Sequence, residues 1–327
     1  MIKIQLDNVT KTELISMHLN DAKKAKTGLF NILQEKKIKS FLKHKHYKIY
    51  TFFYEPSGEL NKSKIEKLLL ADKSQMVKYI SILGKYHPND PKDVKASNEL
   101  IDNIFKYDSF SKRKVAYDIM KKMDVRVCPY CNRQYTVTLK NHKVRPQFDH
   151  YFPKSEYPYL ALTLFNLVPS CSICNLSKSS LDTDIDPILY PFDEEFGEEI
   201  IFCTKIHEGV SITKYLHGLT DEFDVKIANP KGIMTAKVNK QVNVLHLEDL
   251  YNEHKDYIQD IAKNHYINSE KRADELLTIY PLLFRSKIEV MNTFYMNDIR
   301  KDNWGNRPLS KLTKDICDEL EIQKKIY

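Results

Sequence analysis

The chain has 327 residues, with 51 Lys and Arg against 44 Asp and Glu, 42% hydrophobic residues and only 8 glycines. A chain of this length is expected to form two or three domains, and its composition excludes collagen-like, low-complexity and wholly disordered proteins. Its first residues lack the basic and apolar segments of a secretory signal, and its longest mostly apolar stretch, residues 159–169, is far shorter than the ~20 residues that span a membrane. The sequence therefore predicts a soluble, cytoplasmic protein.

The net charge of +7 is unevenly distributed along the chain. Residues 1–127 carry 26 basic and 15 acidic side chains, residues 128–185 carry 6 and 4, and residues 186–327 carry 19 and 25. A basic region of this kind favours contact with a polyanion such as nucleic acid. The competing interpretation is a lysine-rich helix surface that is merely solvated, and charge alone leaves both open.

Residues 1–125 are predicted to form a basic and mostly helical region. Apolar residues recur at helical spacing from Ile65 to Leu83, and another short helix is predicted from Lys112 to Met123. The prolines and the Asn-Asp pair of residues 86–91 predict a loop. Residues 36–48 contain 6 lysines and either contact phosphates or form a solvated helix face.

Residues 126–185 change in character towards β-structure. β-Branched and aromatic residues predict a strand over Gln134–Leu139, a turn over Lys140–Lys143 and a second strand over Val144–Phe152. Ser170 is expected to be the N-cap of a helix. That helix carries Cys171, Cys174, Asn175 and Lys178.

Residues 186–327 are predicted to begin with short strands and to end in helices. The strands are expected at Ile200–Phe202 and Phe223–Ile227, and the helices from about His246 onwards. The sequence has no GxxxxGK[ST] phosphate-binding loop, so the chain is not expected to hydrolyse nucleoside triphosphates. The overall expectation is an α+β protein with three regions, 1–125, 126–185 and 186–327.

Four of the 6 cysteines form two identical pairs, Cys128-Pro-Tyr-Cys131 and Cys171-Ser-Ile-Cys174. Two C-x-x-C pairs can place four thiolates tetrahedrally around Zn²⁺, and a chain of this size without a secretion signal does not depend on disulfides. The alternatives are two redox-active pairs or a coincidence of spacing. No thioredoxin-like βαβ pattern surrounds either pair, and the duplication argues against chance. We therefore predict a structural zinc on these four cysteines. Cys203 and Cys317 are expected to be small buried hydrophobic residues.

Polar residues with other chemistry lie close to the two cysteine pairs. The adjacent Asp149 and His150 lie in a predicted strand, and Asn166 and Asn175 follow. A carboxylate and an amide oxygen suit Mg²⁺ better than zinc, and a histidine can take a proton from water near neutral pH. Each residue alone is more typical of a surface pair, a turn or a cap. Together they provide the ligands and the base of a one-metal phosphodiesterase.

The order and spacing of these segments resemble the core of HNH endonucleases. The resemblance rests on Cys-Pro-Tyr-Cys at 128–131, Phe-Asp-His-Tyr-Phe-Pro-Lys at 148–154, and Phe-Asn-Leu-Val-Pro-Ser-Cys-Ser-Ile-Cys-Asn-Leu-Ser-Lys at 165–178. It covers about residues 128–180, less than a fifth of the chain. It implies a ββα-metal nuclease core that also contains the zinc.

The resemblance assigns a role to each polar residue of the motif. His150 is expected to be the general base, Asp149 a metal ligand, and Asn166 the residue that buttresses the loop and orients the base. Asn175 is expected to be the second metal ligand, in a place where histidine is common. This departure is shared by many HNH enzymes and favours Mg²⁺ or, in its place, Mn²⁺. The expected phosphate contacts are Lys178, Arg145 and Lys154.

An HNH core between helical extensions is similar to bacterial anti-phage HNH effectors of the Septu and retron-associated kind. The resemblance implies cleavage of DNA, expected to be double-stranded, with 5′-phosphate and 3′-hydroxyl products. It also implies a separate ATPase partner, although a stand-alone restriction-like enzyme is compatible with the sequence. Two further alternatives are a non-catalytic zinc module that binds nucleic acid or protein, and an RNA-cleaving toxin. His44, His46 and His142 are unassigned and expected at the surface.

Overall fold

The computed structural model describes residues 1–139 and 144–326, the side chains of 324–326 excepted. The chain forms two compact units. The basic unit comprises Gln5–Val125 and Thr136–Pro187, whose sequence holds 29 Lys and Arg against 20 Asp and Glu. The C-terminal unit comprises Met1–Ile4, Arg126–Tyr135 and Ile188–Tyr327, with 22 against 24. These boundaries differ from the three regions predicted above, which follow composition and not chain contacts.

The N-terminal part of the basic unit is helical, as predicted. The apolar face expected from Ile65 to Leu83 belongs to two helices, because Asp72 starts a new one with a capping box. The Asp72 carboxylate accepts from the Gln75 N–H at 2.9 Å, and the Gln75 amide oxygen accepts from the Asp72 N–H at 3.1 Å. The helices are α1 Asn8–Ala22, α2 Leu29–Gln34, α3 Lys36–Lys45, α4 Tyr47–Phe53, α5 Lys62–Leu69, α6 Lys73–Leu83, α7 Pro91–Leu100, α8 Tyr107–Lys112 and α9 Lys114–Met123.

A small sheet and one short helix complete the basic unit. Strand β1, Gln147–His150, is antiparallel to β2, Leu167–Ser170, so that Asp149 lies opposite Val168 and His150 opposite Leu167. Helix α10, Ser172–Lys178, follows β2 directly. Cys171 is the N-cap of α10, because its sulfur accepts from the Cys174 N–H at 3.4 Å.

The strand–strand–helix order is therefore present, but only one of its strands, β1, lies within a predicted strand, Val144–Phe152. In the described part of Gln134–Leu139 the structure has an isolated bridge at Tyr135 and no strand. The partner of β1 is instead β2, whose residues are all buried. Ser170, predicted as the N-cap, is the last residue of β2. The turn predicted at Lys140–Lys143 lies outside the described residues.

The C-terminal unit contains a second antiparallel pair near the two predicted strands, β3 Ile201–Ile206 and β4 Phe223–Ala228. Carboxylates of the last helix satisfy the outer edge of β3: Asp315 accepts from the Phe202 N–H at 2.8 Å and Glu319 from the Thr204 N–H at 2.9 Å. No described helix is long and apolar enough to cross a membrane. The helices of this unit are α11 Ile212–Leu216, α12 Thr235–Val244, α13 Leu247–Asn252, α14 Lys255–Ile267, α15 Glu270–Ile279, α16 Lys287–Phe294 and α17 Ser310–Ile326.

Candidate functional site

A cleft of about 420 Å³ in the basic unit brings together most of the residues predicted for the site. Strand β1 contributes Asp149 and His150 to its wall, and helix α10 contributes Asn175. Arg145 and Lys154 also line it. The cleft therefore combines a carboxylate, an imidazole, an amide and two cationic side chains within one concave surface.

His150 is a buried, neutral imidazole in the wall of this cleft. Its Nε2 atom lies 3.0 Å from the carbonyl oxygen of Ala161. Because a carbonyl only accepts, Nε2 carries the hydrogen and Nδ1 of the neutral ring keeps its lone pair. Burial lowers the pKa of His150 to about 3, against the opposing effect of the bond to Ala161. The ring is thus uncharged near pH 7, in the form that can accept a proton.

Asp149 is buried beside an ammonium group. Lys178 Nζ donates to Asp149 Oδ1 at 3.2 Å and to the carbonyl oxygen of His150 at 2.6 Å. The Lys178 side chain has no exposed surface, and that of Asp149 is 3% exposed. This placement differs from the phosphate contact predicted for Lys178, because an ammonium group that is fully enclosed by protein does not face the cleft. Lys178 instead connects the end of α10 to β1.

Asn175 lies one turn before Lys178 on the same helix. Its Nδ2 atom donates to Gln147 Oε1 at 2.6 Å, so the amide oxygen is the atom left for a cation. Together with the Asp149 carboxylate, this gives two oxygen donors in one cleft. Hard divalent cations such as Mg²⁺ prefer oxygen donors, so the residues present fit that class of metal.

Asn166 is fully buried and closes the segment between β1 and β2. Its Oδ1 atom accepts from the Phe152 N–H at 2.8 Å, and its Nδ2 atom donates to the carbonyl oxygens of Phe152 at 3.0 Å and Leu160 at 3.1 Å. The next residue, Ala161, supplies the carbonyl that binds His150. Asn166 therefore links Phe152 to Leu160, next to the carbonyl group that bonds to His150. Its buttressing role stays a prediction.

The two remaining cations lie on the cleft wall with aromatic neighbours. Arg145 donates to the carbonyl oxygens of Ser111 at 2.7 Å and Pro146 at 3.0 Å, which fixes its guanidinium group. Lys154 Nζ lies 4.4 Å from the centre of the Tyr107 ring and 3.2 Å from Asp108 Oδ1. The Lys154 side chain is 33% exposed, so its ammonium group can reach a ligand in solvent.

The four predicted zinc ligands are close together. The sulfurs of Cys128, Cys131, Cys171 and Cys174 all lie within 4.8 Å of one another, and all four residues are buried thiols. A tetrahedral zinc with Zn–S bonds of about 2.3 Å separates its sulfurs by about 3.8 Å, so the donor set fits zinc. Four buried cysteines in this arrangement could hold one zinc ion.

Sequence reasoning missed Tyr107 and Gln147. The ring centres of Tyr107 and His150 are 4.3 Å apart in an edge-to-face contact, and the Tyr107 hydroxyl donates to the carbonyl oxygen of Phe148 at 3.3 Å. Tyr107 comes from α8, so no local pattern links it to β1. Gln147 could have been found as the residue two positions before Asp149, on the same strand face.

The predictions for the remaining histidines and cysteines are confirmed only in part. The surface prediction for His46 is wrong: its side chain is buried, its Nδ1 atom lies 3.2 Å from the Tyr86 hydroxyl, and burial lowers its pKa. His44 is exposed, as expected, whereas His142 lies outside the described residues. Cys317 is buried, as predicted, and Cys203 is half-buried.

The chain is similar to a known protein over part of its length. The chain is 34% identical over 70 residues to the Septu protein PtuB of Bacillus thuringiensis, a match that covers 21% of this chain and 26% of the relative. The chain thus spans about a quarter of the length of the curated relative that it matches. No family profile and no solved structure matches the chain. The shared segment therefore indicates a distant, partial relation to a Septu protein.

Proposed function

We propose that this chain is a metal-dependent HNH endonuclease that hydrolyses phosphodiester bonds in double-stranded DNA. The observation that carries the proposal is the cleft at β1, where a neutral imidazole lies beside two oxygen donors. The sequence resemblance to HNH nucleases assigns a role to each of these groups. In this proposal β1, β2 and α10 are the ββα core.

His150 is the general base. With Nε2 donating to Ala161, Nδ1 is the atom that accepts a proton from the attacking water. The segment held by Asn166 keeps the ring in this orientation. The packing of Tyr107 against the ring restricts its rotation further.

Asp149 and Asn175 would hold Mg²⁺ or Mn²⁺, which when bound supplies positive charge for the attacked phosphate and the departing 3′ oxygen. Arg145 and Lys154 contact the phosphates of the substrate backbone. The excess of 29 basic over 20 acidic side chains gives the basic unit a net charge of +9, which attracts the polyanion. The four cysteines would hold zinc that fixes the beginning of α10 and does not touch the substrate.

We also propose a biological setting, anti-phage defence in the cytoplasm with a separate ATPase partner. The support is the partial similarity to a Septu protein together with the resemblance to Septu and retron-associated HNH effectors.

The experiment is an incubation of supercoiled plasmid with the purified chain and Mg²⁺ or Mn²⁺, with and without chelator. We expect nicked and linear plasmid only when the metal is present, and products with 5′-phosphate ends. A plasmid that shifts in mobility but stays intact would replace the proposal with a binding module. Cleavage of RNA in a parallel reaction, with DNA left intact, would replace it with an RNA-cleaving toxin.

A further inference from the structure

Lys178 occupies a position that is rare for lysine. Its side chain is fully enclosed, although lysine is almost never fully buried unless it is paired. Burying an ammonium and a carboxylate together removes both from water, and their mutual attraction does not always repay that cost. Stability alone therefore does not explain why this pair is buried.

The contacts of Lys178 suggest what that reason is. Asn175 and Lys178 are three residues apart and share one face of α10, while Gln147 and Asp149 are two apart and share one face of β1. Asn175 bonds to Gln147, and Lys178 bonds to Asp149. These two contacts set the register of the helix on the strand. That register places the Asn175 amide and the Asp149 carboxylate in the same cleft.

We propose that Lys178 is a positioning residue for the cleft and does not contact the substrate. Its bond to Oδ1 fixes the orientation of the Asp149 carboxylate. Its second bond, to the carbonyl oxygen of His150, fixes the backbone that carries the proposed base. The inference rests on the proposed function of the cleft, and it removes Lys178 from the set of phosphate contacts.

The first test is the Mg²⁺ dependence of cleavage by Lys178→Met. Removing a group that orients a metal ligand typically costs 10–100-fold in metal affinity or activity. We therefore expect the Mg²⁺ concentration for half-maximal cleavage to rise at least ~10-fold. A purely structural role would reduce the amount of folded enzyme and leave this concentration unchanged. An unchanged or lower value would overturn the proposal.

The second test needs no cleavage. Binding of a DNA duplex is measured against salt concentration in chelator, for the wild type, Lys178→Met and Lys154→Met. The slope of log K against log salt is negative, and each phosphate contact that is lost decreases its magnitude by about 0.9. We expect this decrease for Lys154→Met and no change for Lys178→Met. A decrease of about 0.9 for Lys178→Met would show a phosphate contact. This measurement does not depend on catalysis. If the protein binds DNA without cleaving it, the proposed nuclease activity is wrong, but the salt dependence still shows whether Lys178 contacts phosphate.

A third measurement, thermal unfolding, distinguishes loss of the contact with Asp149 from general destabilisation. Lys178→Met leaves the buried Asp149 carboxylate without its ammonium partner, whereas the double variant Asp149→Asn/Lys178→Met removes both charges. We expect the double variant to unfold at a higher temperature than Lys178→Met. If Lys178→Met lowers the unfolding temperature of the wild type and of Asp149→Asn by the same amount, Lys178 does not act through its contact with Asp149, and the proposal fails.

Discussion

Replacing Asn166 with alanine should loosen the segment that orients His150, and the contacts of Asn166 give the size of the effect. The substitution removes the bonds to the Phe152 N–H and to the Phe152 carbonyl oxygen. It also removes one of the two bonds to the Leu160 carbonyl oxygen, which still accepts from the Thr163 N–H at 3.1 Å. A buried backbone group left without a partner costs ~1–3 kcal/mol, part of which relaxation recovers. We therefore expect Asn166→Ala to lower the free energy of unfolding by about 3 kcal/mol. At ~2–4 °C per kcal/mol, the unfolding midpoint should fall by about 6–12 °C.

The assay pairs thermal unfolding with plasmid cleavage per folded molecule. Because Ala161 directly follows Leu160, cleavage by the folded fraction should fall at least ~10-fold through misorientation of the base. Asn20→Ala is the matched control, since Asn20 is exposed on α1 and its substitution should change stability by no more than ~0.5 kcal/mol. If Asn166→Ala unfolded within ~2 °C of this control and cleaved at the wild-type rate, Asn166 would not be what holds this segment in place.

Three further outcomes follow from the contacts described above. Cys174→Ser should lose stoichiometric zinc, cleavage and the protection of α10 from proteolysis, and a variant with full zinc content would exclude the four-cysteine site. Asp149→Ala and Asn175→Ala should each lose cleavage but keep one zinc per chain by metal analysis, and loss of zinc from either would show that the two metal sites had been confused. Burial lowers the pKa of His18 to about 4 from its usual ~6.5, despite its bond to the Leu162 carbonyl oxygen. The neutral His18 ring therefore contributes fully to the free energy of unfolding above pH ~6.5, and this contribution is lost as the pH falls towards 4. Between pH 7 and pH 4.5 this loss amounts to about 2 kcal/mol. It should be absent from His18→Gln in denaturant titrations at these two pH values, so equal losses in both proteins would rule His18 out as its source.

The parts of the molecule that the sequence predicts well are those governed by local spacing. A C-x-x-C pair places two sulfurs within one turn. The four-cysteine cluster therefore forms once the two pairs lie next to each other. The strands β3 and β4 and the helices after His246 follow from local periodicity in the same way. The proximity of Asp149 to His150 is fixed by adjacency in the chain.

The parts that the sequence does not predict depend on contacts between distant segments. Residues 134–139 have the composition of a strand, yet β1 pairs with Leu167–Ser170, because burial on both faces outweighs β-propensity. Lys178 looks like a phosphate contact in sequence, since nothing local shows that its ammonium group is enclosed beside Asp149. Tyr107 reaches His150 from α8, and no spacing rule relates positions so far apart.

The proposed role of His150 as the base of a metal-dependent nuclease is tested by single-turnover plasmid cleavage with His150→Ala. The assay uses saturating Mg²⁺ and compares the variant with the wild type at equal DNA occupancy and equal zinc content. We expect a rate lower by ~10²–10⁴-fold, the loss typical of a missing general base, with DNA binding retained. A rate within a few-fold of the wild type would show that His150 is not the base.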